Sequence, residues 1–236
     1  MAAEILQAES LETGYQRVQV LWRASLAVQD GETLVLLGAN GAGKTTLLRA
    51  LIGLLPAWRG EIRFAGETIT HLRTDRRVRR GIAFMSEMGV FPSLTIEENI
   101  RIGGHALSGA ELKSRVQELY GVFPELEGRR RSLASSLSGG QRKMLAIAKA
   151  LAGKPRLLIM DEPSAGLSPL LVQQIIRVLE KARGQGLSLL IAEQNIKFLD
   201  LADRVCTLAG GVVGFTGSVQ ELHANDALRR AYFGLK

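Results

Sequence analysis

The sequence predicts an α/β protein with an antiparallel β subdomain at its N-terminus and a helical subdomain inserted into a parallel core. Short β-favouring runs come before any helical pattern, four continuous apolar runs follow, and a mostly helical stretch, approximately residues 87–155, interrupts that series. Strands of parallel sheets are apolar throughout because helices cover both faces. With 236 residues, 46% of them hydrophobic, the chain can bury the core of a single domain that spans residues 1–236.

The strands and the core helices can be placed in chain order. ILQAES, VQVLW and SLAVQD are predicted to form the first, antiparallel strand layer, which ends at a turn at Gly31. TLVLL (33–37) is a predicted buried strand, and TTLLRALIGLL after it is predicted to be helical. Three more apolar runs are predicted strands of the same sheet: IAFM (82–85), RLLIMD (156–161) and LSLLIAE (187–193). LLVQQIIRVLEKAR, between the last two, is a predicted helix, which favours a doubly wound core.

The inserted stretch contains three helical patterns, TIEENIRIGG, SGAELKSRVQELYGVF and GGQRKMLAIAKALAG. Capping residues precede each of them, and helix-forming residues follow. No separate linker or internal repeat divides this stretch from the rest of the chain. We therefore predict that it is a helical subdomain of the same domain.

The chain is basic, with a formal net charge of +7 and a pI of about 9.9. This charge is compatible with nucleic acid, an anionic membrane surface or an anionic ligand such as a nucleotide. Much of the excess lies in residues 72–80 and 128–132, without the interleaved aromatic residues that stack on bases. We interpret both runs as the solvated surface of a helix and a loop, and we expect no nucleic-acid partner.

The single cysteine and the absence of a long apolar run bear on where in the cell the protein is expected to lie. Cys206 lies in VCTLAG and is a predicted buried strand residue, in keeping with a reducing cytosol. No stretch reaches the roughly 18 to 20 apolar residues of a membrane helix, and MAAEILQAES lacks a secretory pattern. Any membrane association is expected to be peripheral.

Residues 38–46, GANGAGKTT, match the phosphate-binding pattern G-x-x-x-x-G-K-[ST] between a predicted strand and a predicted helix. Glycines let backbone N–H groups approach phosphates, and the helix N-terminus adds positive charge. Lys44 would bind the β and γ phosphates, Thr45 would bind Mg²⁺, and Thr46 would lie near the α or β phosphate. The predicted phosphate-binding residues are Gly38, Ala39, Asn40, Gly41, Ala42, Gly43, Lys44, Thr45 and Thr46. An ordinary Gly-rich turn that caps a helix is the alternative.

Two carboxylates follow the apolar run RLLIMD. Asp161 would lie at the carboxyl edge of the sheet beside the phosphate loop and hold Mg²⁺ directly or through water. Pro163 disfavours helical backbone before it, so Glu162 is predicted to be extended, with its side chain directed away from that of Asp161. Glu162 would polarise the water that attacks the γ phosphate. A solvated acidic loop is the alternative.

The segment Leu137-Ser138-Gly139-Gly140-Gln141 has a local interpretation as a helix start. Ser138 and Gln141 match a capping box that opens a helix through Leu151. Capping does not explain two successive glycines, each of which costs on the order of 1 kcal/mol relative to alanine within a helix. We therefore expect another group to approach this backbone closely.

GANGAGKTT, LSGGQ and LLIMDEP occur in the order and spacing of the ATPase domain of ABC transporters, which this sequence resembles over nearly its whole length. The resemblance implies a P-loop NTPase (ABC ATPase) core that hydrolyses ATP, with ATP and Mg²⁺ as cofactors. It implies a head-to-tail dimer, homomeric or with a sister ATPase, in which each ATP also contacts the other subunit. The residues of that contact are Ser138, Gly139, Gly140 and Gln141. The resemblance assigns Tyr15 to stacking on adenine, although a packing role is the alternative, and residues 164–168 to coupling the two sites.

Two positions depart from the commonest ABC pattern. Glu87 replaces a glutamine that senses the γ phosphate near the metal and faces the membrane subunit, and Gln194 replaces a switch histidine. Glutamine does not titrate near neutral pH, but it can donate a hydrogen bond to a phosphate oxygen. We therefore predict a catalytic sensing role for Gln194 and keep Glu162 as the general base, with Glu87 a third candidate metal contact beside Thr45 and Asp161.

Four further segments, FPSLTIEENI, LSPLLV, AEQN and ALRRAYFGL, resemble ATPase subunits of branched-chain amino acid importers and the related urea and amide systems. This implies two integral membrane permease subunits as partners and, indirectly, a solute-binding protein. It places the chain peripherally on the cytoplasmic face of the inner membrane. SEMGVFP replaces the PEGRRVFP of close relatives, is one residue shorter and lacks the arginines, which bears on the contact with the membrane subunits.

Two other classes of protein share part of these motifs and are the alternatives. Soluble ABC ATPases of DNA repair carry a long coiled-coil insertion and those of translation carry two cassettes, whereas this chain has no sustained heptads and one phosphate loop. Cluster-assembly and lipopolysaccharide-type relatives stay open. A phosphate-loop small-molecule kinase explains Lys44 and Thr45 but gives no role to LSGGQ or residues 161–163.

Overall fold

The computed structural model describes residues 3–86, 89–194 and 196–233. The strands in these ranges are β1 (Glu4–Tyr15), β2 (Val18–Gln29), β3 (Thr33–Leu37), β4 (Arg59–Phe64), β5 (Glu67–Thr68), β6 (Ile82–Met85), β7 (Leu157–Asp161), β8 (Ser188–Glu193), β9 (Arg204–Ala209) and β10 (Val212–Gly217). The α-helices are α1 (Lys44–Leu51), α2 (Thr74–Arg79), α3 (Ile96–Gly103), α4 (Gly109–Val122), α5 (Pro124–Glu127), α6 (Gly139–Ala152), α7 (Pro169–Arg183), α8 (Val219–Ala224) and α9 (Asp226–Phe233). Residues Ala134–Ser136 and Ile196–Leu201 form 3₁₀ turns.

The N-terminal sheet is antiparallel, as predicted, and has the strand order β2-β1-β4-β5. VQVLW and SLAVQD, which were expected as two runs, belong to one long strand, β2. The pairing of β1 with β2 contains register shifts, so neither strand keeps a strict alternation of buried and exposed residues. This irregularity hid the continuity of β2 from the sequence pattern.

The core sheet has the order β10-β9-β3-β8-β7-β6. Every pair in it is parallel except β9 with β10. The predicted strands TLVLL and IAFM are β3 and β6, and the other two apolar runs match β7 and β8 to within one residue. Cys206 is buried in β9, as predicted. The doubly wound α/β prediction is therefore confirmed.

Successive residues of β3 pack into different cores, because strand side chains alternate between the two faces of a sheet. Leu34 and Leu36 belong to the core shared with α1 and the antiparallel sheet. Val35 and Leu37 belong to the core shared with α3, α4, α6 and α7. Burial on both faces fixes the position of β3, and so the position of the loop that follows it.

The helices α3, α4, α5 and α6 lie between β6 and β7 in the chain. α3, α4 and α6 match the three predicted helical patterns, and each begins with a capping box. The assignment of residues 87–155 to a separate subdomain stays a prediction. Within the described ranges, none of these helices or the others is both long and apolar enough to cross a membrane.

The interpretation of residues 72–80 as solvated surface is wrong for Arg77, whose side chain is only 2% exposed. Its guanidinium donates hydrogen bonds to the carbonyl oxygens of Ala50 (2.9 Å) and Leu51 (2.7 Å) at the end of α1. It also donates to the carbonyl oxygens of Thr70 and Leu72. Burial lowers the pKa of Arg77 to about 10, which leaves it charged at neutral pH. Arg77 therefore fastens α2 to the far end of the helix that begins at the phosphate loop.

Candidate functional site

The phosphate loop connects β3 to α1 and needs glycine at defined positions. Gly41 and Gly43 have φ angles of 80° and 106°, which favour a residue without Cβ. A Cβ on Gly38 would lie 2.6 Å from the carbonyl oxygen of Leu208. The N–H of Gly38 donates to the backbone carbonyl oxygen of Glu193 (3.2 Å), and the N–H of Gly211 donates to the backbone carbonyl oxygen of Ala42 (2.9 Å). The loop is thus held by β8 and by the β9–β10 turn.

A cleft of about 260 Å³ opens beside this loop. It brings together residues that are more than a hundred positions apart in the chain, because β3 and β7 both pair with β8 and end at the same edge. Its lining residues are Val20, Asn40, Gly41, Gly43, Lys44, Thr45, Thr46, Asp161 and Glu162. Val20, from the antiparallel sheet, was not predicted, since nothing in its local pattern separates it from other strand residues.

Lys44 is 4% exposed, and its ammonium group lies among three oxygen acceptors. It donates to the carbonyl oxygens of Gly38 (2.8 Å) and Ala39 (3.1 Å). It also forms an ion pair with Glu162, with Nζ 3.1 Å from Oε1. The cation is therefore buried and held at the base of the cleft, where a phosphate group could exchange with the carboxylate.

Asp161 lies in the cleft with an incomplete set of hydrogen bonds. It is 8% exposed, and its Oδ1 is buried with no hydrogen-bond donor in the described part of the chain. Burial raises the pKa of Asp161, and the Thr45 hydroxyl, which hydrogen-bonds to its side chain, opposes that rise. A buried carboxylate oxygen without a donor, beside a hydroxyl, suits a hard cation. The described residues hold no group of three His, Cys, Asp or Glu side chains that could bind a metal alone, so a cation here needs other oxygen ligands.

The prediction that Glu162 is extended is wrong. Its φ angle is 48°, in the left-handed region that costs a residue with Cβ on the order of 1 to 3 kcal/mol. Three hydrogen bonds made by its backbone hold Glu162 in this conformation. Its N–H donates to the carbonyl oxygen of Ala192 (2.9 Å), and its backbone carbonyl oxygen accepts from Lys143 Nζ (3.0 Å) and from the N–H of Ala165 (3.2 Å). This backbone lets the Glu162 side chain line the same cleft as Asp161 and reach Lys44.

Tyr15 lies at the end of β1, at the rim of the cleft. Its side chain is 41% exposed, so the ring is open to a ligand. Its hydroxyl accepts a hydrogen bond from Arg49 Nη1 (3.3 Å) and lies 3.5 Å from the hydroxyl of Thr46, which lines the cleft. The structure thus places Tyr15 next to the phosphate loop, 31 residues away in sequence.

The segment Ser138–Gln141 begins α6 and does not line the cleft. The predicted capping box is present: Ser138 Oγ accepts from the Gln141 N–H (3.3 Å), and Gln141 Oε1 accepts from the Ser138 N–H (3.1 Å). A Cβ on Gly140 would lie 2.4 Å from Leu171 Cδ1, so packing against α7 accounts for that glycine. A Cβ on Gly139 would meet nothing within 4 Å. The predicted close approach of another group to this backbone is therefore made at Gly140 by Leu171 of the same chain, whereas no described atom makes it at Gly139.

Gln194 follows β8 and is exposed. It shares a second cavity, of about 520 Å³, with Glu162 and Glu193 and with the turn at residues 164–167. Glu193 is 2% exposed, and its Oε1 accepts from the Ser164 N–H (2.8 Å). The sequence pattern did not single out Glu193, whose position as the last residue of an apolar strand was its one signal. The predicted residue Glu87 lies outside the described residues.

Comparison with known proteins decides the family. The profile of the ABC transporter family matches residues 21–165, more than half of the chain. The chain belongs to the ABC transporter family. The chain is 38% identical over 232 residues to the high-affinity branched-chain amino acid transport ATP-binding protein BraG of Pseudomonas aeruginosa, covering 98% of this chain and 100% of that protein.

A second relative serves a different transport system. The chain is 34% identical over 234 residues to the lipopolysaccharide export system ATP-binding protein LptB of Escherichia coli strain K12, with 97% of each chain covered. Among solved structures, the ADP conformation of an ATP-binding cassette of an ABC transporter matches with a TM-score of 0.83 and 25% identity, covering 99% of this chain and 100% of that one. This ABC protein is therefore an ATP-binding subunit that hydrolyses ATP, and the described cleft is its candidate site.

Proposed function

We propose that this chain is the motor subunit of an ABC importer for branched-chain amino acids or related small polar solutes. The observation that carries the proposal is the 38% identity to BraG, which extends over the full length of that protein. The identity to LptB is slightly lower, at 34%, over a similar length. Lipopolysaccharide export is therefore the second candidate, and a soluble ABC ATPase is the third.

The geometry of the cleft supports a distinct role for each of its polar residues in ATP binding and hydrolysis. Lys44 binds the β and γ phosphates, which compete with Glu162 for its ammonium group. Glu162, released from Lys44, accepts a proton from the water that attacks the γ phosphate. Gln194 shares a cavity with Glu162 and donates a hydrogen bond to a phosphate oxygen. Tyr15 stacks on the adenine.

Mg²⁺ is the proposed metal of this site. Thr45 and Asp161 would hold it, because the Asp161 Oδ1 has no hydrogen-bond donor among the described residues and the Thr45 hydroxyl lies beside that carboxylate. The ion would supply positive charge against the phosphate oxygens, which would act as further oxygen ligands. Glu87 stays a proposed third contact.

We further propose that the ATP-bound form is a head-to-tail dimer. Ser138, Gly139, Gly140 and Gln141 lie outside their own cleft, and α6 has no acidic residue in its first turn. The start of α6 is therefore a positive helix end that can receive the phosphates of an ATP bound by another subunit. The space beside Gly139 leaves room for that ligand.

The proposed complex contains a second ATPase subunit, identical or a sister chain, and two integral membrane permease subunits. A solute-binding protein acts on the permeases from the other side. The chain then lies peripherally on the cytoplasmic face of the inner membrane. This arrangement explains how a chain whose described helices are too short or polar to cross a membrane serves a transporter.

Reconstitution tests the importer proposal. The tagged chain is purified from its native membranes in mild detergent, and the integral subunits that travel with it are identified and placed in liposomes with their solute-binding protein. We expect ATP turnover to rise several-fold with leucine, isoleucine or valine, and a Lys44→Ala complex to show no such rise. Stimulation by lipopolysaccharide instead would favour export, and purification without any membrane subunit would overturn both transport proposals.

A further inference from the structure

Arg129 forms a bridge at the start of α6. Its Nη1 donates to Gln141 Oε1 (3.1 Å), which lies inside the first turn of the helix. Its Nη2 donates to the carbonyl oxygen (3.4 Å) and the hydroxyl (3.3 Å) of Ser136, which lies before the helix. One planar guanidinium thus bridges Ser136 and Gln141, which flank Leu137 and Ser138 in the chain. The several N–H donors of an arginine side chain make such a bridge possible.

The two donors around Gln141 Oε1 fix the orientation of its amide group. Ser138 N–H and Arg129 Nη1 both donate to this atom. An amide nitrogen at that position would face two donors, so the acceptor must be the oxygen. The Nε2 hydrogens of Gln141 make no hydrogen bond within the described part of the chain, which leaves them for a ligand.

The charge of Arg129 has no carboxylate partner in the part of the chain that the structure describes. None of the ion pairs among the described residues includes Arg129. The other capping boxes in the described ranges place a carboxylate at the third helical position, in Glu98, Glu111 and Glu221. At α6 this position is the neutral Gln141. This helix start therefore combines its own positive dipole end with the guanidinium of Arg129, where the other three have a carboxylate.

We propose that Arg129 is a positioning residue for the nucleotide: it preorganises Ser138–Gln141 and adds positive charge there for the ATP held by the neighbouring subunit. The inference rests on the dimer of the proposed function. Preorganisation lowers the ordering cost of binding, and charge-assisted hydrogen bonds are the strong ones. Arg129 touches no predicted ligand itself and acts through Gln141 and the field at the helix start.

The chain offers a matched control in Arg131, two residues further on. Arg131 is exposed, and no hydrogen bond or ion pair of its side chain is found among the described residues. Arg131→Gln and Arg129→Gln remove the same charge from the same turn, and only the second removes the bridge to Gln141. Arg129→Lys keeps the charge and loses the fork.

The test measures ATP-dependent dimerisation by light scattering in a Glu162→Gln background, in which hydrolysis is blocked. We expect Arg129→Gln to raise the ATP concentration for half-maximal dimer about tenfold, Arg129→Lys to raise it less, and Arg131→Gln to change it less than about twofold. ADP affinity of the monomer should stay within about twofold for all three, since that ligand needs only the phosphate loop.

A purely structural role for Arg129 would lower the melting temperature and leave the dimer midpoint unchanged. An unchanged midpoint for Arg129→Gln, or an equal shift for Arg131→Gln, overturns the assignment while leaving the dimer itself intact. If Arg129→Gln does not fold, Arg129→Lys decides, and a midpoint equal to that of the parent overturns the proposal. A Glu162→Gln parent that never dimerises overturns the proposed function instead.

Discussion

Lys44 Nζ lies 3.1 Å from Glu162 Oε1, so the cation proposed to bind phosphate is paired with the carboxylate proposed to activate water. Lys44 is 4% exposed, and Glu162 is 33% exposed. Neither residue can do its proposed work while this pair persists, because the lysine is occupied and the carboxylate accepts from it. The proposed mechanism therefore requires ATP to separate the pair, so that phosphate binding would also release the base.

The Glu162→Gln variant separates ATP binding from activation of the attacking water. The neutral amide holds Lys44 less strongly than the carboxylate does, so we expect the monomer to bind ATP up to about fivefold more tightly, the scale of a partly exposed ion pair. Turnover should fall by roughly 100-fold or more, because the general base is lost. Equilibrium binding of a non-hydrolysable ATP analogue and steady-state phosphate release measure the two. Undiminished turnover would remove Glu162 from its proposed role.

Asp161→Asn should raise stability while it abolishes activity. Burial raises the pKa of Asp161 above its usual 3.8, so the folded state disfavours the carboxylate. That cost is fully present above the folded pKa and disappears as the pH falls toward 3.8. We expect Asp161→Asn to melt at a higher temperature than the parent at pH 7 without nucleotide or metal, and the difference to shrink as the pH is lowered.

The same variant tests the proposed metal site. ATP with Mg²⁺ should raise the melting temperature of the parent more than that of Asp161→Asn, since the amide gives the cation a weaker ligand. An Asp161→Asn protein that hydrolyses ATP at the parental rate would contradict the assignment of Asp161.

Gly139→Ala should also separate stability from assembly. A Cβ at Gly139 meets no atom within 4 Å in the chain, so alanine should stabilise the helix start by about 0.5 kcal/mol. The added methyl group lies where the partner's ATP is proposed to bind. In the Glu162→Gln background, we therefore expect Gly139→Ala to reduce ATP-dependent dimerisation at least tenfold, measured by gel filtration.

Gly109 is the matched control for Gly139. It also follows a serine N-cap with a capping box, at the start of α4, and a Cβ there also meets nothing within 4 Å. Gly109→Ala should give the same gain in unfolding free energy and leave the dimer unchanged. Equal dimerisation by the two variants would show that nothing approaches Gly139.

The sequence predicted the core strands well because a strand buried on both faces leaves an uninterrupted apolar run, as TLVLL does at β3. It predicted the phosphate loop because glycine, lysine and threonine at fixed spacing serve one chemistry. Glu162 shows where local reasoning fails. The bias from Pro163 is outweighed by hydrogen bonds to Ala192 and Lys143, and neither contact is visible in the local sequence.

Arg77 shows a second limit of sequence patterns. It is one of five arginines within residues 73–80, a run that composition marks as surface, yet it alone of the five is buried. Its position follows from the carbonyl groups at the end of α1, which have no partner within that helix. A pattern of charges along one helix cannot reveal an unsatisfied helix end elsewhere in the chain.

Arg77→Ala should destabilise the chain by about 3 kcal/mol, because the buried carbonyl oxygens of Leu51 and Thr70 lose their donor, while that of Ala50 keeps the N–H of Gly53. Urea unfolding measures the change. Arg77→Lys, with fewer donors, should lose less. Arg79→Ala, at an exposed position of the same helix, should stay within about 0.5 kcal/mol of the parent. Since α1 begins at Lys44, Arg77→Ala should also raise KM for ATP, and equal stability of the Arg77→Ala and Arg79→Ala proteins would show that these hydrogen bonds do not hold α1.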